Sequence, residues 1–184
     1  MITWSETRAR LREDRLELAK YLDLQPGRRP MFLILNPSYQ CMLLHRISFY
    51  FFQRGYRFVG RFFWHLNLLV TGADISPISD IGGGMVVNYP LCVGVIGKVG
   101  KRCVVHGHVG IGGGFTRDDI GAGPGLPVVG DDVVLDSGAL VLGSIRIGNR
   151  SRIGARTVVT RDVPEGFEVV PTEPALRIRK VDAL

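Results

Sequence analysis

Residues 75–111 read ISPISDIGGGMVVNYPLCVGVIGKVGKRCVVHGHVGI, and an aliphatic residue returns at every sixth position of this stretch. The members of this first series are Ile75, Ile81, Val87, Val93, Val99, Val105 and Ile111. Residues 129–159, VGDDVVLDSGALVLGSIRIGNRSRIGARTVV, contain a second series of the same kind. Its members are Val129, Leu135, Val141, Ile147, Ile153 and Val159. Eighteen residues separate Ile111 from Val129, so the second series keeps the phase of the first.

A sustained period of six matches neither an α-helix nor an ordinary strand, whose side chains repeat every 3.6 and 2 residues. Such a short fixed period is typical of a solenoid built from hexapeptide turns, that is, a parallel β-helix. The aliphatic residue of each unit would point into a narrow interior and stack on its counterpart one coil further on. We therefore predict a mainly β chain; the alternative is a β-rich domain whose spacing is accidental.

The segment before the repeat has a helical pattern. Residues 5–22 alternate apolar and charged positions at helical spacing, with Ser5 as the predicted N-cap, and residues 38–70 are aromatic, basic and predicted to be helical. We divide the chain into an N-terminal helical segment (residues 1–70), a β-helix (residues 71–165) with a protruding loop, and a C-terminal tail. The loop spans residues 112–128 and the tail spans residues 166–184.

The positive charge of the chain lies in its N-terminal segment. Residues 1–70 contain eleven Lys and Arg against five Asp and Glu, which accounts for the whole net charge of +6. Arginine among aromatic residues at 38–70 suits contact with a membrane surface or a lipid-linked substrate. The alternative is a helical cap whose apolar faces bury the open end of the solenoid and a subunit contact. No known nucleic-acid-binding motif accompanies the charge.

The compartment is predicted from the cysteines and from the start of the chain. Three cysteines, Cys41, Cys92 and Cys103, lack metal-ligand spacing and are expected to be reduced thiols. The opening MITWSETRARLRED lacks the apolar stretch of a signal peptide. We expect a cytoplasmic protein, with the inner face of the membrane as a possible location.

Several motifs of the repeat resemble the serine acetyltransferases and related enzymes that acetylate surface sugars. They are TGADISP at 71–77, GGG at 112–114, LVLGSIRIG at 140–148 and RIGARTVVTRDVP at 152–164. The resemblance covers about residues 5–165. It implies a left-handed parallel β-helix with an N-terminal helical cap, a homotrimer or a dimer of trimers, and acetyl-CoA bound in a groove between neighbouring coils. The implied reaction is acetyl transfer to a hydroxyl of serine or of a surface-glycan sugar.

The chain departs from this family at the expected catalytic histidines. The resemblance places the general base in a DHATG-like motif, where this chain has Asn88, Tyr89 and Pro90, and a second histidine at Leu126. The aspartate that pairs with the first histidine is present as Asp74. A hydroxyl is a poor nucleophile near neutral pH, so another base is needed.

The strand one coil after Tyr89 carries two histidines, His106 and His108, in the sequence VVHGHVG. Because one coil is eighteen residues, we expect Gly107 to stack beside Tyr89. With Val105 pointing inward, both imidazoles would face outward on one side toward a groove. We hypothesise that His106 or His108 is the base and that Tyr89 orients the acceptor; the alternative is two ordinary solvent-facing histidines. His45 and His65 are expected at the surface or in the cap.

The remaining predicted contacts follow from the resemblance and from the loop. The resemblance implies that Gly113 allows the protein backbone to approach acetyl-CoA closely. It also implies Ser137 and Ala155 along the pantetheine arm and Arg152 near the phosphates. Arg146, Arg150, Arg152 and Arg156 are predicted to make one basic stretch, or else a solvated face. The candidate substrate-binding residues are Asn88, Arg117, Asp118 and Asp119, the last three in the protruding loop.

Two other classes of function remain open at this point. VVHGHVG is weakly similar to a strand of zinc hydratases of the γ-carbonic-anhydrase kind, but that chemistry needs three imidazoles around the metal. The position five before His106 is Lys101, so no metal site is predicted. A chain that has lost the family's base could also be a non-catalytic scaffold or regulatory subunit.

Overall fold

The computed structural model describes residues 2–24, 33–114 and 117–171. Three long helices come first: α1 (Trp4–Tyr21), α2 (Pro37–Gln53) and α3 (Arg57–Thr71). Fourteen short strands follow: β1 (Asp74–Ile75), β2 (Asp80–Ile81), β3 (Val86–Val87), β4 (Gly94–Val95), β5 (Lys98–Val99), β6 (Val104–Val105), β7 (Gly110–Gly112), β8 (Val128–Val129), β9 (Val134–Leu135), β10 (Leu140–Leu142), β11 (Arg146–Ile147), β12 (Arg152–Ile153), β13 (Val158–Val159) and β14 (Glu168–Val169).

The strands form three parallel sheets that are the sides of a prism. Sheet A contains β1, β4, β7, β10 and β13, sheet B contains β2, β5, β8 and β11, and sheet C contains β3, β6, β9, β12 and β14. Consecutive strands belong to different sheets, and each strand pairs with the strand one coil away. This arrangement is a three-sided parallel β-helix, as the period of six predicts.

The prism interior is filled by the aliphatic series. On sheet B, Ile81, Val99 and Val129 are in register, and on sheet C, Val87, Val105 and Leu135 are in register. These side chains are almost completely buried and belong to one continuous core. Burial of each such side chain contributes roughly 1.5–3 kcal/mol, so the stacked column is the main stabilising element of the prism.

One member of the predicted series is wrong. Sheet A pairs Ile75 with Val95, and Val95 with Ile111, so Val95 occupies the strand position predicted for Val93. The corner before β4 holds two extra residues, and the corner after it is two residues shorter. Because the insertion and the shortening are of equal length, the six-residue phase is restored after β4. Val93 is nevertheless buried, within the longer corner.

A long excursion leaves the prism between β7 and β8. Gly110 pairs with Leu140 and Val99 pairs with Val129, so thirty residues separate partners in this coil and eighteen in most others. The extra residues belong to the predicted loop, which contains an isolated antiparallel bridge between Asp119 and Pro124. The predicted tail boundary at 165 falls before β14, which pairs with β12 in sheet C. Residues 172–184 of the tail lie outside the described residues.

The helices begin and end at conventional caps. The N-cap of α1 is Thr3, which forms a capping box with Glu6, so the predicted N-cap Ser5 is wrong by two residues. Asn36 caps α2, whose first residue is Pro37. The predicted helical character of residues 38–70 is confirmed by α2 and α3. Gly72, at φ 75°, ends α3 in the left-handed conformation.

A buried ion pair joins the helical cap to the first coil. The guanidinium of Arg46 contacts the carboxylate of Asp14 at 2.9 Å, and both side chains are about 1% exposed. Arg46 also donates to the carbonyl oxygens of Ile81 and Gly82. Asp14 accepts from the backbone N–H groups of Gly84 and Met85 at 2.8 and 3.1 Å. All the charged atoms therefore have partners, as burial requires.

His45 is buried within the helical cap next to this pair, so of the two expected positions, the surface and the cap, the structure shows the cap. Its side chain is 0% exposed, and neither ring nitrogen has a hydrogen-bond partner among the described residues. Burial, and then the charge of Arg46, lower its pKa well below 6.5.

Cys41 and Cys103 are also buried, and burial raises the pKa of each thiol to about 12. No helix within the described ranges combines the length and hydrophobicity of a membrane span.

Candidate functional site

The candidate site lies at the corner where sheet C leads into sheet A, which we call the C–A corner. In the first coil this corner contains Tyr89 and Cys92, and both adopt left-handed backbone conformations, at φ 59° and 58°. Non-glycine residues rarely adopt this conformation, but here it recurs at other turns of the repeat, at Arg102, His108, Asp132, Arg150 and Arg156. The Tyr89 side chain is 75% exposed. The two-residue insertion thus projects an aromatic hydroxyl from the edge of the prism.

Gly107 stacks directly beside Tyr89 in the next coil, as predicted. A Cβ atom at Gly107 would lie 3.2 Å from the carbonyl oxygen of Tyr89 and 3.4 Å from its Cβ. The backbone N–H of His108 donates to the carbonyl oxygen of Leu91 at 3.3 Å. Only a glycine leaves the two corners free to approach this closely. The close packing fixes the position of Tyr89 relative to the histidine-containing corner.

His106 contacts the predicted substrate residue Asn88. Its Nδ1 atom lies 3.2 Å from Nδ2 of Asn88, and its ring lies 6.5 Å from the ring of Tyr21 at the end of α1. Because the amide nitrogen of Asn88 is a donor, Nδ1 accepts and the proton of a neutral imidazole is on Nε2. His106 is half-buried. Tyr21 was not found from the sequence, because nothing there places the end of α1 over sheet C.

His108 occupies a different environment. Strand β6 ends at Val105, and His108 has a left-handed backbone, at φ 64°, with an exposed side chain. The prediction that His106 and His108 share one side of a strand is therefore wrong, because the chain turns the C–A corner between them. His106 contacts Asn88 and the end of α1, whereas His108 is at the exposed turn.

Asp74 lies on the outer side of sheet A and binds a tryptophan. The indole Nε1 of Trp64 donates to Oδ1 of Asp74 at 2.7 Å. Both residues line an open groove of about 330 Å³ that runs over the glycines of sheet A. The other lining residues are Ser76, Gly94, Val95, Ile96, Gly110, Ile111, Gly112 and Leu142. Tyr89, His106 and His108 are not among them, so Asp74 lies in a groove that the other predicted catalytic residues do not line.

Trp64 is a candidate functional residue that the sequence did not reveal. It lies in α3, ten residues before Asp74. The left-handed Gly72 reverses the chain after α3, and β1 then passes the last turns of the helix. A glycine at the end of the predicted helix was the available signal, but it does not identify which side chain meets Asp74.

The predicted acetyl-CoA residues occupy several parts of the prism. Ser137 and Ala155 lie at the C–A corner of later coils, aligned with Gly107: Gly138 N donates to Gly107 O, and Arg156 N donates to Ser137 O. Gly113 follows β7 at the opposite edge of sheet A. The structure therefore brings together Tyr89, Gly107, Ser137 and Ala155 in one column but leaves Gly113 outside it.

Arg152 lies on sheet C, and its guanidinium is already bound. It donates to Asp136 at 2.9 Å, a contact that raises the pKa of Arg152, and it lies 3.7 Å from Glu168. The four late arginines do not make the predicted basic stretch. Arg146 is on sheet B and donates to Ile120 O, Arg150 pairs with Glu165, and Arg156 is exposed at the C–A corner. Sequence neighbours separate in this way because six residues carry the chain from one side of the prism to the next.

The backbone of the protruding loop is hydrogen-bonded to the fourth coil, between β10 and β11. The carbonyl oxygen of Asp118 accepts from the Ser144 hydroxyl at 2.6 Å. The carboxylate of Asp119 accepts from the N–H groups of Gly121 and Gly123, which lower its pKa. Asp119 thus stabilises its own turn. Arg117 is exposed.

Leu126, where the family's second histidine is expected, packs at the base of the loop. A Cβ at Gly123 would lie 3.2 Å from its side chain, and one at Gly113 would lie 3.8 Å away. The position is therefore occupied by apolar packing. Within residues 2–24, 33–114 and 117–171, no three His, Cys, Asp or Glu side chains come together as a metal site.

The hexapeptide repeat and the three-sided prism define the class of the protein as the hexapeptide-repeat proteins. The family model described as bacterial transferase hexapeptide (six repeats) matches residues 127–161. Among solved structures, serine acetyltransferase isoform 3 from Entamoeba histolytica, in complex with cysteine, is similar with a TM-score of 0.79 at 25% identity. The match covers 95% of this chain and 62% of that chain. The predicted left-handed parallel β-helix with an N-terminal helical cap is confirmed.

Sequence relatives give the family. A serine acetyltransferase from Synechococcus elongatus is 36% identical over 141 residues, which cover 75% of this chain and 56% of the relative. A serine acetyltransferase from Helicobacter pylori (strain J99) is 32% identical over 157 residues, covering 83% of this chain and 90% of the relative. The chain belongs to the serine acetyltransferase family, although it spans little more than half the length of the Synechococcus relative.

Proposed function

We propose that this chain is an acetyl-CoA-dependent O-acetyltransferase whose acceptor is the hydroxyl of serine, with a surface-glycan sugar as the second candidate acceptor. The family supports acetyl transfer, and the solved serine acetyltransferase from Neisseria gonorrhoeae is in complex with serine. The observation that carries the proposal is the imidazole of His106 in contact with Asn88, one residue from Tyr89, which stands where the family's base is expected. This contact supplies a titratable base at the same corner.

The proposed step is direct transfer of the acetyl group. The acceptor hydroxyl attacks the thioester carbon while His106 takes its proton, and the tetrahedral intermediate then expels the CoA thiolate. His106 returns the proton to the leaving sulfur, so the protein ends unchanged. Tyr89 is proposed to orient the acceptor through its exposed hydroxyl. His108, at the exposed turn, is the second candidate base.

The contact between His106 and Asn88 determines which ring nitrogen can act. With Asn88 Nδ2 facing Nδ1, the lone pair of the imidazole is engaged and Nε2 carries the proton. Rotation of the Asn88 amide by half a turn presents its oxygen to Nδ1–H and leaves Nε2 free to accept a proton. Asn88 is thus proposed to bind the acceptor and to set the tautomer of His106.

Asp74 is proposed to bind the acceptor from the other side of the corner. Its carboxylate is exposed in the groove of sheet A, and Trp64 fixes one of its oxygens. A carboxylate held in this way suits the ammonium group of an amino acid or the hydroxyls of a sugar. The loop residues Arg117 and Asp118 are further candidates for acceptor contacts, whereas the Asp119 carboxylate is used within the loop.

Acetyl-CoA is proposed to lie along the column at the C–A corner, with its pantetheine arm at Ser137 and Ala155. Gly113, at the opposite edge of sheet A, would contact acetyl-CoA only from a neighbouring subunit, which fits the proposed homotrimer or dimer of trimers. A phosphate contact of Arg152 requires that its pair with Asp136 opens. Arg156, exposed beside Ala155, is better placed for this contact. A cytoplasmic location, where acetyl-CoA is available, is part of the proposal.

The test is release of the CoA thiol on incubation with acetyl-CoA and serine, homoserine or a panel of sugars. We expect turnover with serine, and a loss of about 10²–10⁴-fold in kcat for His106→Ala. His65→Ala, an exposed histidine of α3, is the matched control and should keep full activity. Full activity in His106→Ala, His108→Ala and the double variant would contradict the proposed base. Acetyl-CoA binding with no turnover of any acceptor would instead support the non-catalytic scaffold.

A further inference from the structure

The outer side of α3 is apolar although it is exposed. Phe58, Phe62 and Leu69 are 86%, 57% and 82% exposed. Their spacing of four and seven residues puts them on one face of the helix. The buried residues of the same helix are Gly60, Asn67 and Thr71. Val59, Phe63 and Leu66 of the same helix are partly buried, so α3 carries apolar side chains on its exposed side as well, unlike an ordinary surface helix.

The surroundings of this apolar face are basic. The sequence contains no Asp or Glu between Asp23 and Asp74. Arg57 and Arg61 are exposed on α3, and Arg54 precedes the helix with its guanidinium over the ring of Tyr50. Among the described residues, none of these three arginines forms an ion pair. The face therefore carries positive charge that no neighbouring carboxylate neutralises.

We propose that this face of α3 docks on an anionic membrane surface. Phe58, Phe62 and Leu69 would enter the boundary between headgroups and acyl chains, while Arg57 and Arg61 contact lipid phosphates. Aromatic and arginine side chains suit this boundary because each combines an apolar body with a polar end. The inference goes beyond acetyl transfer and does not depend on it.

Charge decides between a membrane and a second copy of the chain meeting face to face. In a two-fold contact the same surface meets itself, so Arg57 and Arg61 would approach the arginines of the other copy. Like charges brought together in an interface are unfavourable, whereas an anionic surface compensates them. Charge thus disfavours a two-fold contact of this face with itself, and an anionic lipid surface is the occupant that we propose. Contact with a different surface of a neighbouring copy, as in the proposed trimer, is the outcome that light scattering would reveal.

The test is co-sedimentation of the full chain with phosphatidylcholine vesicles that contain or lack phosphatidylglycerol. We expect binding to the anionic vesicles alone, and release at high salt. Phe58→Ser combined with Leu69→Ser should lower the partition coefficient about tenfold or more. Arg57→Gln and Arg61→Gln should each lower it about fivefold. Phe167→Ser and Arg161→Gln, exposed positions in the last coil, are matched controls and should bind like the wild type.

Three results would overturn the proposal. The first is no binding of the wild-type chain to anionic vesicles, and the second is equal binding of wild type and the Phe58→Ser, Leu69→Ser variant. The third comes from light scattering in the absence of lipid. A change in assembly size in that variant, but not in Phe167→Ser, would assign the face to contact between copies of the chain. Circular dichroism of each variant checks that the helices remain folded.

Discussion

Trp64 donates its indole N–H to the carboxylate of Asp74 across 2.7 Å, and this bond joins the last helix to the first strand. The carboxylate is therefore oriented before any acceptor arrives, because one of its oxygens is fixed by a rigid ring. In the resembled family the corresponding aspartate pairs with a histidine, but here Tyr89 stands in the place of that histidine. A tryptophan cannot exchange protons at this bond, so we propose that Asp74 binds the acceptor and that Trp64 holds its carboxylate in position.

Trp64→Phe removes the donor but keeps an aromatic ring. We expect the KM for the acceptor to rise about fivefold, which corresponds to one hydrogen bond of about 1 kcal/mol, with little change in kcat. Trp4→Phe is the matched control, since Trp4 packs on Tyr50 in the cap. Steady-state kinetics with varied acceptor check this. A fall in kcat at constant KM would contradict a role of Trp64 in acceptor binding.

Gly107→Ala tests the close approach of the two corners. The added Cβ would lie 3.2 Å from Tyr89 O, so the corner of the first coil must shift. A displacement of this kind near reacting groups costs up to about 10²-fold in rate, and we expect a loss of about tenfold or more in kcat/KM. Gly94→Ala, whose Cβ would meet no atom within 4 Å, controls for the effect of a glycine substitution on folding, which urea unfolding measures. It is not a kinetic control, because Gly94 lines the groove beside Asp74. Unchanged kinetics in Gly107→Ala would mean that the position of this corner does not affect the reaction.

The buried His45 makes stability depend on pH. Burial lowers its pKa in the folded chain well below the ordinary 6.5, so the unfolded chain binds a proton that the folded chain does not. The stabilisation is therefore complete above about pH 6.5 and is lost as pH falls below it, by up to about 1.4 kcal/mol per pH unit. Thermal melts between pH 7 and pH 5 should show this slope, and His45→Leu should flatten it. An unaltered slope in His45→Leu, or an equal effect of His65→Leu, would assign the dependence to other groups.

The ion pair of Asp14 and Arg46 should dominate the attachment of the cap. Asp14→Ala leaves a buried guanidinium without its counter-charge and two backbone N–H groups without an acceptor. We expect the free energy of unfolding to fall by about 3–5 kcal/mol in urea titrations. Glu165→Ala removes the exposed partner of Arg150 and should change it by less than about 1 kcal/mol. Similar losses in both variants would mean that burial does not set the strength of the Asp14 contact.

The sequence predicted the prism because its signal is local and repeated. Each inward aliphatic side chain is six residues from the next, and this spacing alone implies three sides, stacked coils and one continuous core. The exchange of Val93 for Val95 was hidden because an insertion and a shortening cancel between Val87 and Val99. Because the two length changes cancel, the six-residue spacing of the aliphatic series is unchanged. Only the pairing of the strands shows that Val95 takes the place of Val93.

The site was less predictable because its contacts depend on the residue at which the chain turns from one sheet to the next. His106 and His108 look equivalent in the sequence, but the left-handed turn at His108 places them in different surroundings. The partners Tyr21 and Trp64 come from helices whose packing on the prism has no periodic signature. Arg152 was predicted to be available for phosphate, but its carboxylate partner Asp136 lies one coil away on the same sheet.

The first coil of the prism has an open edge, and an open edge can recruit strands of other chains. Here the cap covers part of it with charged side chains: Arg10 and Arg46 bind Ile81 O, and Asp14 binds the N–H groups of Gly84 and Met85. These backbone groups are no longer free to pair with a strand from a neighbouring molecule. The cap thus blocks this part of the edge against strand pairing, which disfavours end-to-end joining of prisms into fibres.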